Sequence, residues 1–272
     1  MKTYVAILRE HYIWRNQILK FAKSDMIRTN SGSVLGWAWT LAKPTINILV
    51  FWFVFSIGLR FGGSMAGYPF ILWLIAGYIP WQYMSNMFTG GAGSIRKYRY
   101  LVTKMKFPVS TIPTFFGLSK ITEHITLMVF VVIVFALSGH PPDIYLLQLP
   151  IYMLLMMLFF ISWALFAGML SAISTDFLNL IKSLTRALFW LSGILWDVGM
   201  LDSYGNLGWL KTILMFNPVT VFATGYRNVF INKVWIWSDP KAMICYAPVF
   251  LIMVALSVIM YKKLRKEIPD VL

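Results

Sequence analysis

Residues 144–172 read IYLLQLPIYMLLMMLFFISWALFAGMLSA, with no charged side chain among them. Hydrocarbon offers no water to a free N–H or C=O, so such a run must satisfy its own backbone, as a helix does. Roughly 20 mainly apolar residues suffice to cross a bilayer core, and this stretch is longer. Working outward, five further stretches meet the same test, at about 34–58, 68–92, 108–138, 180–200 and 243–261. The stretch 180–200, fifth of the six in chain order, carries Lys182 and Arg186 at its start. The expected fold class is an all-α integral membrane protein with six transmembrane helices.

Composition agrees. Of 272 residues, 59% are apolar and 12% charged, with a mean hydropathy of +0.70. Soluble domains carry about 25% charged residues. The 12 Trp, 13 Tyr and 21 Phe suit the water–lipid interface and an amphipathic path. A net charge of +14 would fit nucleic acid if it lay on a soluble face. Here it lies in the gaps between apolar runs, so no nucleic-acid partner is expected. The single cysteine, Cys245, excludes an internal disulfide and a cysteine-based metal site. The first 33 residues mix apolar and basic side chains without the apolar core of a cleaved signal.

The placement of the 24 Lys and Arg sets the orientation. Seventeen fall in the N-terminal segment, the gap after the second span, the start of the fifth span and the C-terminal tail. Five fall on the other side: Arg60, Lys211, Arg227, Lys233 and Lys241. Lys43 and Lys120 lie within spans. Basic residues collect on the cytoplasmic side, which predicts a multi-pass plasma-membrane protein with both termini cytoplasmic. Residues 4–26 are too polar to span. Tyr4, Ile7, Leu8, His11, Trp14, Ile18 and Phe21 recur at helical spacing, with Arg9, Asn16, Lys20 and Lys23 opposite. This predicts an amphipathic helix, over about 1–30, lying in the membrane interface; a solvated helix resting on a soluble partner is the other reading. In the outer segment 201–242, patches such as Trp209-Leu210 and Ile213-Leu214-Met215-Phe216 are too short to cross. They predict short re-entrant helices shielded by protein.

The run Gly90-Gly91-Ala92-Gly93-Ser94 lacks the Lys of a phosphate loop. It reads as the end of the second span, and any ATP-driven work needs a separate subunit. His11, His124 and His140 fall on different elements without metal-ligand spacing, so no catalytic, cofactor or metal site is expected. His140-Pro141-Pro142-Asp143 reads as a rigid outer turn. Lys120, Glu123 and His124, at i, i+3 and i+4, share one helix face, about 18 Å into their span by helix rise. Ionisable groups at that depth face protein or a wet path; a Lys–Glu pair that merely satisfies itself is the alternative. Lys43, beside Pro44, either snorkels to the cytoplasmic surface or meets an anionic headgroup. Gly32/Gly36, Gly58/Gly62 and Ala164/Gly168 have the spacing that lets helices approach closely.

Three stretches carry a resemblance: Ser31-Gly32-Ser33-Val34-Leu35-Gly36-Trp37-Ala38-Trp39 followed by Lys43-Pro44; Lys106-Phe107-Pro108; and Asn217-Pro218 with Gly225-Tyr226-Arg227. In this order the chain resembles the permease subunits of bacterial ABC-2 type polysaccharide exporters, the branch that includes O-antigen, capsule and wall teichoic acid exporters. The resemblance covers nearly the whole chain and implies one transmembrane domain over 1–272. It implies an obligate homodimer with two ATPase subunits, which bind ATP and Mg. It implies a coupling helix over 94–107, with Arg96, Lys97, Arg99, Lys104, Lys106 and Phe107 at the ATPase contact. The implied substrate is a polymer on polyprenyl diphosphate. Its sugars would favour an aromatic-lined path. Its diphosphate would favour basic residues such as Arg9, Arg15 or Lys43, with Lys120 and Glu123 as further candidates on the path. Where many relatives have Ser-Pro, this chain has Ser192-Gly193-Ile194-Leu195-Trp196, a wording more similar to teichoic acid exporters. A drug or small-lipid exporter of the same class is an alternative. An integral-membrane glycosyl- or acyltransferase is another, opposed by the scarcity of acidic residues, with Asp176 and Glu123 on separate elements.

Overall fold

The computed structural model describes residues 2–59, 64–141, 143–203, 205, 207–238 and 240–272, apart from the side chains of Lys2 and Asn30. Arg60 and Pro142, used above in reading the outer loops, and Gly62, used with Gly58 as a helix-approach pair, lie outside the described residues. The chain opens with α1 (Lys2–Ile13) and α2 (Arg15–Asn30), broken at Trp14. Ile7, Ile18 and Ala22 turn inward, while Arg9, Asn16, Lys20 and Lys23 are exposed. Tyr4 and Leu8 remain exposed as well, so the apolar stripe is wider than the bundle covers. A turn then leads into α3 (Ala38–Trp52), which continues as a π-helical stretch over Phe53–Gly58. Gly32 and Gly36 both sit in this turn with φ of +88° and +45°. They are therefore not a helix-packing pair; they supply the left-handed backbone that a Cβ disfavours.

A two-residue hairpin, β1 (Ser64–Met65) and β2 (Tyr68–Pro69), feeds α4 (Phe70–Asn86). This helix is apolar on every side and buried along most of its length, as a central helix must be. A π-helical stretch over Met87–Gly91 carries it on into α5 (Ala92–Lys97), and α6 (Arg99–Thr103) follows. The glycine run thus lies inside a helix that continues to Lys97. A Cβ on Gly90 would stand 2.8 Å from the Phe116 ring, and one on Gly91 would stand 2.8 Å from Cβ of Ala164. Those glycines let α7 (Ile112–Leu137) and α8 (Leu149–Ile173) close on the central helix. The Ala164/Gly168 pair belongs to the same contact, with Ile95 seated over Gly168.

α9 spans Thr175–Leu191, starting five and ending nine residues earlier than the stretch 180–200 expected from the sequence. Ser174 caps its start, accepting from the Phe177 amide at 3.4 Å. Gly193, at φ +66°, ends the helical path just past Leu191. The outer segment folds into α10 (Gly208–Met215) and α11 (Pro218–Arg227), the latter extended by a π-helical stretch to Asn232. The long α12 (Pro240–Leu264) and a short α13 (Ile268–Val271) complete the chain. Among the described residues, four stretches are long and apolar enough to cross a membrane: Ala38–Gly58, Val109–Leu137, Ile144–Ile173 and Pro240–Leu264. The third and fourth spans read from sequence agree with these within two residues. Gln82, Ser85, Asn86 and Thr89 dilute the central helix, and α9 has only 17 residues and two cations.

Candidate functional site

Among the described residues, two concave features with polar groups in their lining flank α4. The first is a groove of about 370 Å³ between α3, α4 and α9. Its wall is aromatic: Phe51 packs on Phe189 at 5.3 Å and on Tyr78 at 5.8 Å, and Trp81 meets Phe189 at 5.5 Å. Asn47, Ser85, Thr89, Lys182 and Arg186 supply polar groups along it. Lys182 and Arg186 are exposed, because α9 buries only Ile181 and Thr185. Such a surface offers ring faces and hydrogen-bonding groups in alternation.

The second feature is a cavity of about 180 Å³ between the end of α2, α3, α4 and α7. Lys43, Lys120, Glu123, His124, Gln82 and Asn86 line it. Lys120 is paired with Glu123 one helical turn away, and both side chains are largely buried. His124 bonds the Tyr226 hydroxyl at 2.7 Å through Nε2. The Tyr78 hydroxyl accepts from Asn47 at 3.0 Å and from Gln82 at 2.8 Å. Since Gln82 lines the cavity and Asn47 the groove, this bridge joins the two features.

The end of the bundle that carries the N-terminal helices is pinned by polar contacts. Lys97 pairs with Asp25 at 2.8 Å, and the Tyr98 hydroxyl donates to the same carboxylate oxygen. Burial pushes the Asp25 carboxyl up, but the hydrogen bonds from Lys97 and Tyr98 outweigh it and hold the group below its usual range. Burial, reinforced by the Asp25 carboxylate, pushes the Tyr98 phenol up. Arg96 donates to the Thr175 hydroxyl at 2.7 Å. Glu10 accepts from Ser110 and from Tyr261, the latter at 2.8 Å, and His11 meets Thr114 at 2.7 Å. At the opposite end Asn217 caps α11, accepting from the Val219 amide at 3.0 Å and donating to Ser192 at 2.7 Å. Pro218 takes the first helical position, where a missing N–H costs nothing. Arg227 is buried, donating to the carbonyls of Gly193 and Ile194 with its guanidinium over the Trp73 ring.

The family described as ABC-2 type transporter matches residues 16–231. The chain belongs to the ABC-2 type transporter family. The matched span runs from α2 through the π-helical stretch after α11, so it contains the groove, the cavity and the Arg227 contact. Three relatives bear the name O-antigen export system permease protein RfbA. The one from Myxococcus xanthus is 21% identical over 266 residues, covering 98% of this chain and 99% of its own. Two from Klebsiella pneumoniae are 22% identical, one over 218 residues (80% of this chain and 81% of its own) and one over 256 (94% of each). The likeness of residues 192–196 to teichoic acid exporters gains no support from these names.

Within this ABC-2 chain the structure gathers some of the expected site residues and separates others. Lys43, Lys120 and Glu123 meet in one cavity, with Trp39 and Pro44 on its wall. Arg9 stays exposed on α1, and Arg15 folds back on Tyr12, donating to its carbonyl at 2.9 Å. Of the segment 94–107, Arg99, Lys104 and Lys106 are exposed, whereas Arg96 and Lys97 are engaged within the chain. Phe107 is buried against Trp14 and Phe21 at ring distances of 5.0 and 5.1 Å, and so anchors the loop. Trp37 lies at the surface where α3 begins, and Pro108 precedes the first turn of the next helix. Sequence reasoning missed the groove aromatics, Asp25 and Tyr98. The signal for the two features was a set of polar residues recurring at three and four inside an apolar run, Ser85 and Thr89 toward the groove and Gln82 and Asn86 toward the cavity.

Proposed function

We propose that this ABC-2 chain is the membrane subunit of an ATP-driven exporter that moves a lipid-linked polysaccharide out across the plasma membrane. The observation that carries this reading is the aromatic groove between α3, α4 and α9, with its interleaved polar groups. Ring faces with flanking hydrogen-bonding groups suit sugars, which present apolar C–H faces and polar edges. The three relatives named as O-antigen export permeases support the same substrate class.

The chain works as a homodimer on two ATPase subunits, which hold ATP and Mg. α9 supports the dimer: Asn179, Lys182, Ser183 and Arg186 are exposed on one chain. Lipid tails do not solvate such groups, which default to a protein neighbour or a wet path. A second copy facing this side would enclose the two grooves as one conduit. α4–α5 and α9 complete the six crossings, with α10 and α11 as the outer re-entrant pair. Both termini are cytoplasmic, because the N-terminal helices, α5–α6 and the end of α12 lie at one end and carry most of the cations. There Arg99, Lys104 and Lys106 offer the exposed charge against which an ATPase docks. Export of a labelled lipid-linked polysaccharide from inverted vesicles containing both subunits tests the reading. Trp81→Ala and Phe189→Ala are expected to slow export about tenfold while complex assembly stays normal, in line with about 1 kcal/mol per aromatic contact. Undiminished export in the double variant would remove the groove from the path.

A further inference from the structure

We propose that α10 is an outer-leaflet anchor, a helix lying along the lipid–water boundary with Trp209, Ile213 and Phe216 turned toward the acyl chains. This rests on the outer placement of 201–242 and gives that segment a lipid partner.

The polarity of α10 is the first reason. None of its eight residues is buried, whereas α11 is buried along most of its length. Helical spacing puts Trp209, Thr212, Ile213 and Phe216, the last just past the helix end, on one face. All four are exposed, Trp209 at 61%, Ile213 at 55% and Phe216 at 45%. The opposite face carries Leu210, Lys211, Leu214 and Met215, each half-buried. Lys211, the one charge of the helix, thus turns toward the protein, where it pairs with Asp202. A helix resting on a core beneath water shows the reverse, with its apolar stripe inward and its charge outward. This one calls for an apolar neighbour outside.

The surroundings decide which neighbour. α10 packs against α11, α12 and the short helix Val198–Ser203. Lys211 and Met215 share a pocket of about 240 Å³ with Trp235, Ala242 and Met243. α10 therefore sits beside the first turns of α12, a helix long and apolar enough to cross a membrane, on which Ile244, Leu251 and Ile252 are exposed. The same end carries exposed Trp237, stacked on Trp235 at 4.6 Å, with Tyr145 against Trp235 at 4.9 Å. Trp and Tyr gather at the lipid–water boundary, and Trp209 joins that set. A second copy suits this face less well. α9 exposes Asn179, Lys182, Ser183 and Arg186, whereas the outward face of α10 offers a partner no charge and one hydroxyl. The backbone suits lipid too, because the Phe216 and Asn217 amides are satisfied by the Ile213 and Leu214 carbonyls at 3.0 Å each. Asn217 also donates to Ser192 at 2.7 Å, so a leaflet-held α10 fixes the height of the segment after α9.

The full chain, with Cys245→Ser, is reconstituted in phosphatidylcholine vesicles with one nitroxide at a time, on Ser203→Cys, Ile213→Cys, Phe216→Cys or Ile252→Cys. All four positions are exposed, where substitution is well tolerated. Electron paramagnetic resonance follows collisions with oxygen, which concentrates in lipid, and with a water-soluble nickel chelate. At 213 and 216, oxygen access is expected to be severalfold above that at 203 and to approach that at 252, with nickel access severalfold below that at 203. Nickel access at 213 equal to that at 203 puts the face in water and overturns the proposal. Loss of access to both reagents overturns it in favour of a protein neighbour, and spin–spin broadening identifies that neighbour as a second copy. Adding Ile213→Asp to the Phe216→Cys chain is expected to lower oxygen access at 216 severalfold and leave 252 unchanged in its own chain; an unmoved value at 216 overturns the anchoring role. Reaction of Ser203→Cys from the cytoplasmic side alone would overturn the outer placement, while the oxygen values at 213 still tell lipid from water, so the two failures are read separately.

Discussion

Arg227 donates from Nη1 to the carbonyl of Gly193 at 2.7 Å, across 34 residues of sequence. The adjacent Nη2 bonds the Ile194 carbonyl at 2.5 Å, and the guanidinium plane lies 3.4 Å from the Trp73 ring centre. α9 ends at Leu191, and its trailing carbonyls have no helical partner. The arginine fork instead satisfies two carbonyls of the turn that follows, at Gly193 and Ile194, and so ties α11 to the segment just past the end of α9. Gly77 makes the room, since a Cβ there would stand 2.4 Å from Nη2.

Arg227→Met therefore leaves two buried acceptors unpaired and is expected to cost on the order of 3 kcal/mol. Arg227→Lys restores charge without the planar fork and recovers only part of it. Thermal unfolding of the purified variants in detergent is the measurement, and Gly77→Ala is expected to fall in the same direction. A lysine variant as stable as the parent would show that the charge alone matters.

The Asp25 carboxyl is held below its ordinary value of 3.8 by Lys97 and Tyr98, against the upward push of burial. A carboxylate with a depressed folded pKa contributes stability that is present above the unfolded value and is lost as pH falls through the folded one. The parent is thus expected to keep its Tm down to about pH 4 on this account and to lose it below. Asp25→Asn should unfold earlier at pH 6, by roughly 1–3 kcal/mol, and show a flatter Tm profile between pH 5 and 3.

Charge reversal on the segment 94–107 is expected to separate into two classes. Arg99→Glu, Lys104→Glu and Lys106→Glu together should weaken association with the ATPase while leaving Tm unchanged, because these side chains are exposed. Arg96→Glu should lower Tm instead, since it breaks the bond to Thr175. Co-purification and melting curves on the same samples distinguish the two. Undisturbed association in the triple variant would leave docking to shape and apolar contacts such as exposed Tyr100 and Met105.

Orientation has its own test. With Cys245 replaced by Ser, a cysteine at exposed Ser203 should react with an impermeant maleimide in intact cells, and one at exposed Lys104 only after lysis. The reverse pattern would invert the assignment of both ends.

The sequence by itself determined the helical membrane class, the third and fourth spans to within two residues, and the segregation of cations. It also placed Lys120, Glu123 and His124 on one face. These properties are legible because apolar content adds up along the chain and helical spacing fixes which neighbours share a face. Only the tertiary structure decided that the glycines at 90 and 91 sit within a continuing helix and admit Phe116 and Ala164. It alone buried Arg227 within the protein, and set Phe51, Tyr78, Trp81 and Phe189 along one groove. Each of these depends on what lies across the contact, and partners such as Gly90 and Phe116, 26 residues apart, or Trp73 and Arg227, 154 apart, leave no trace in any local window of sequence.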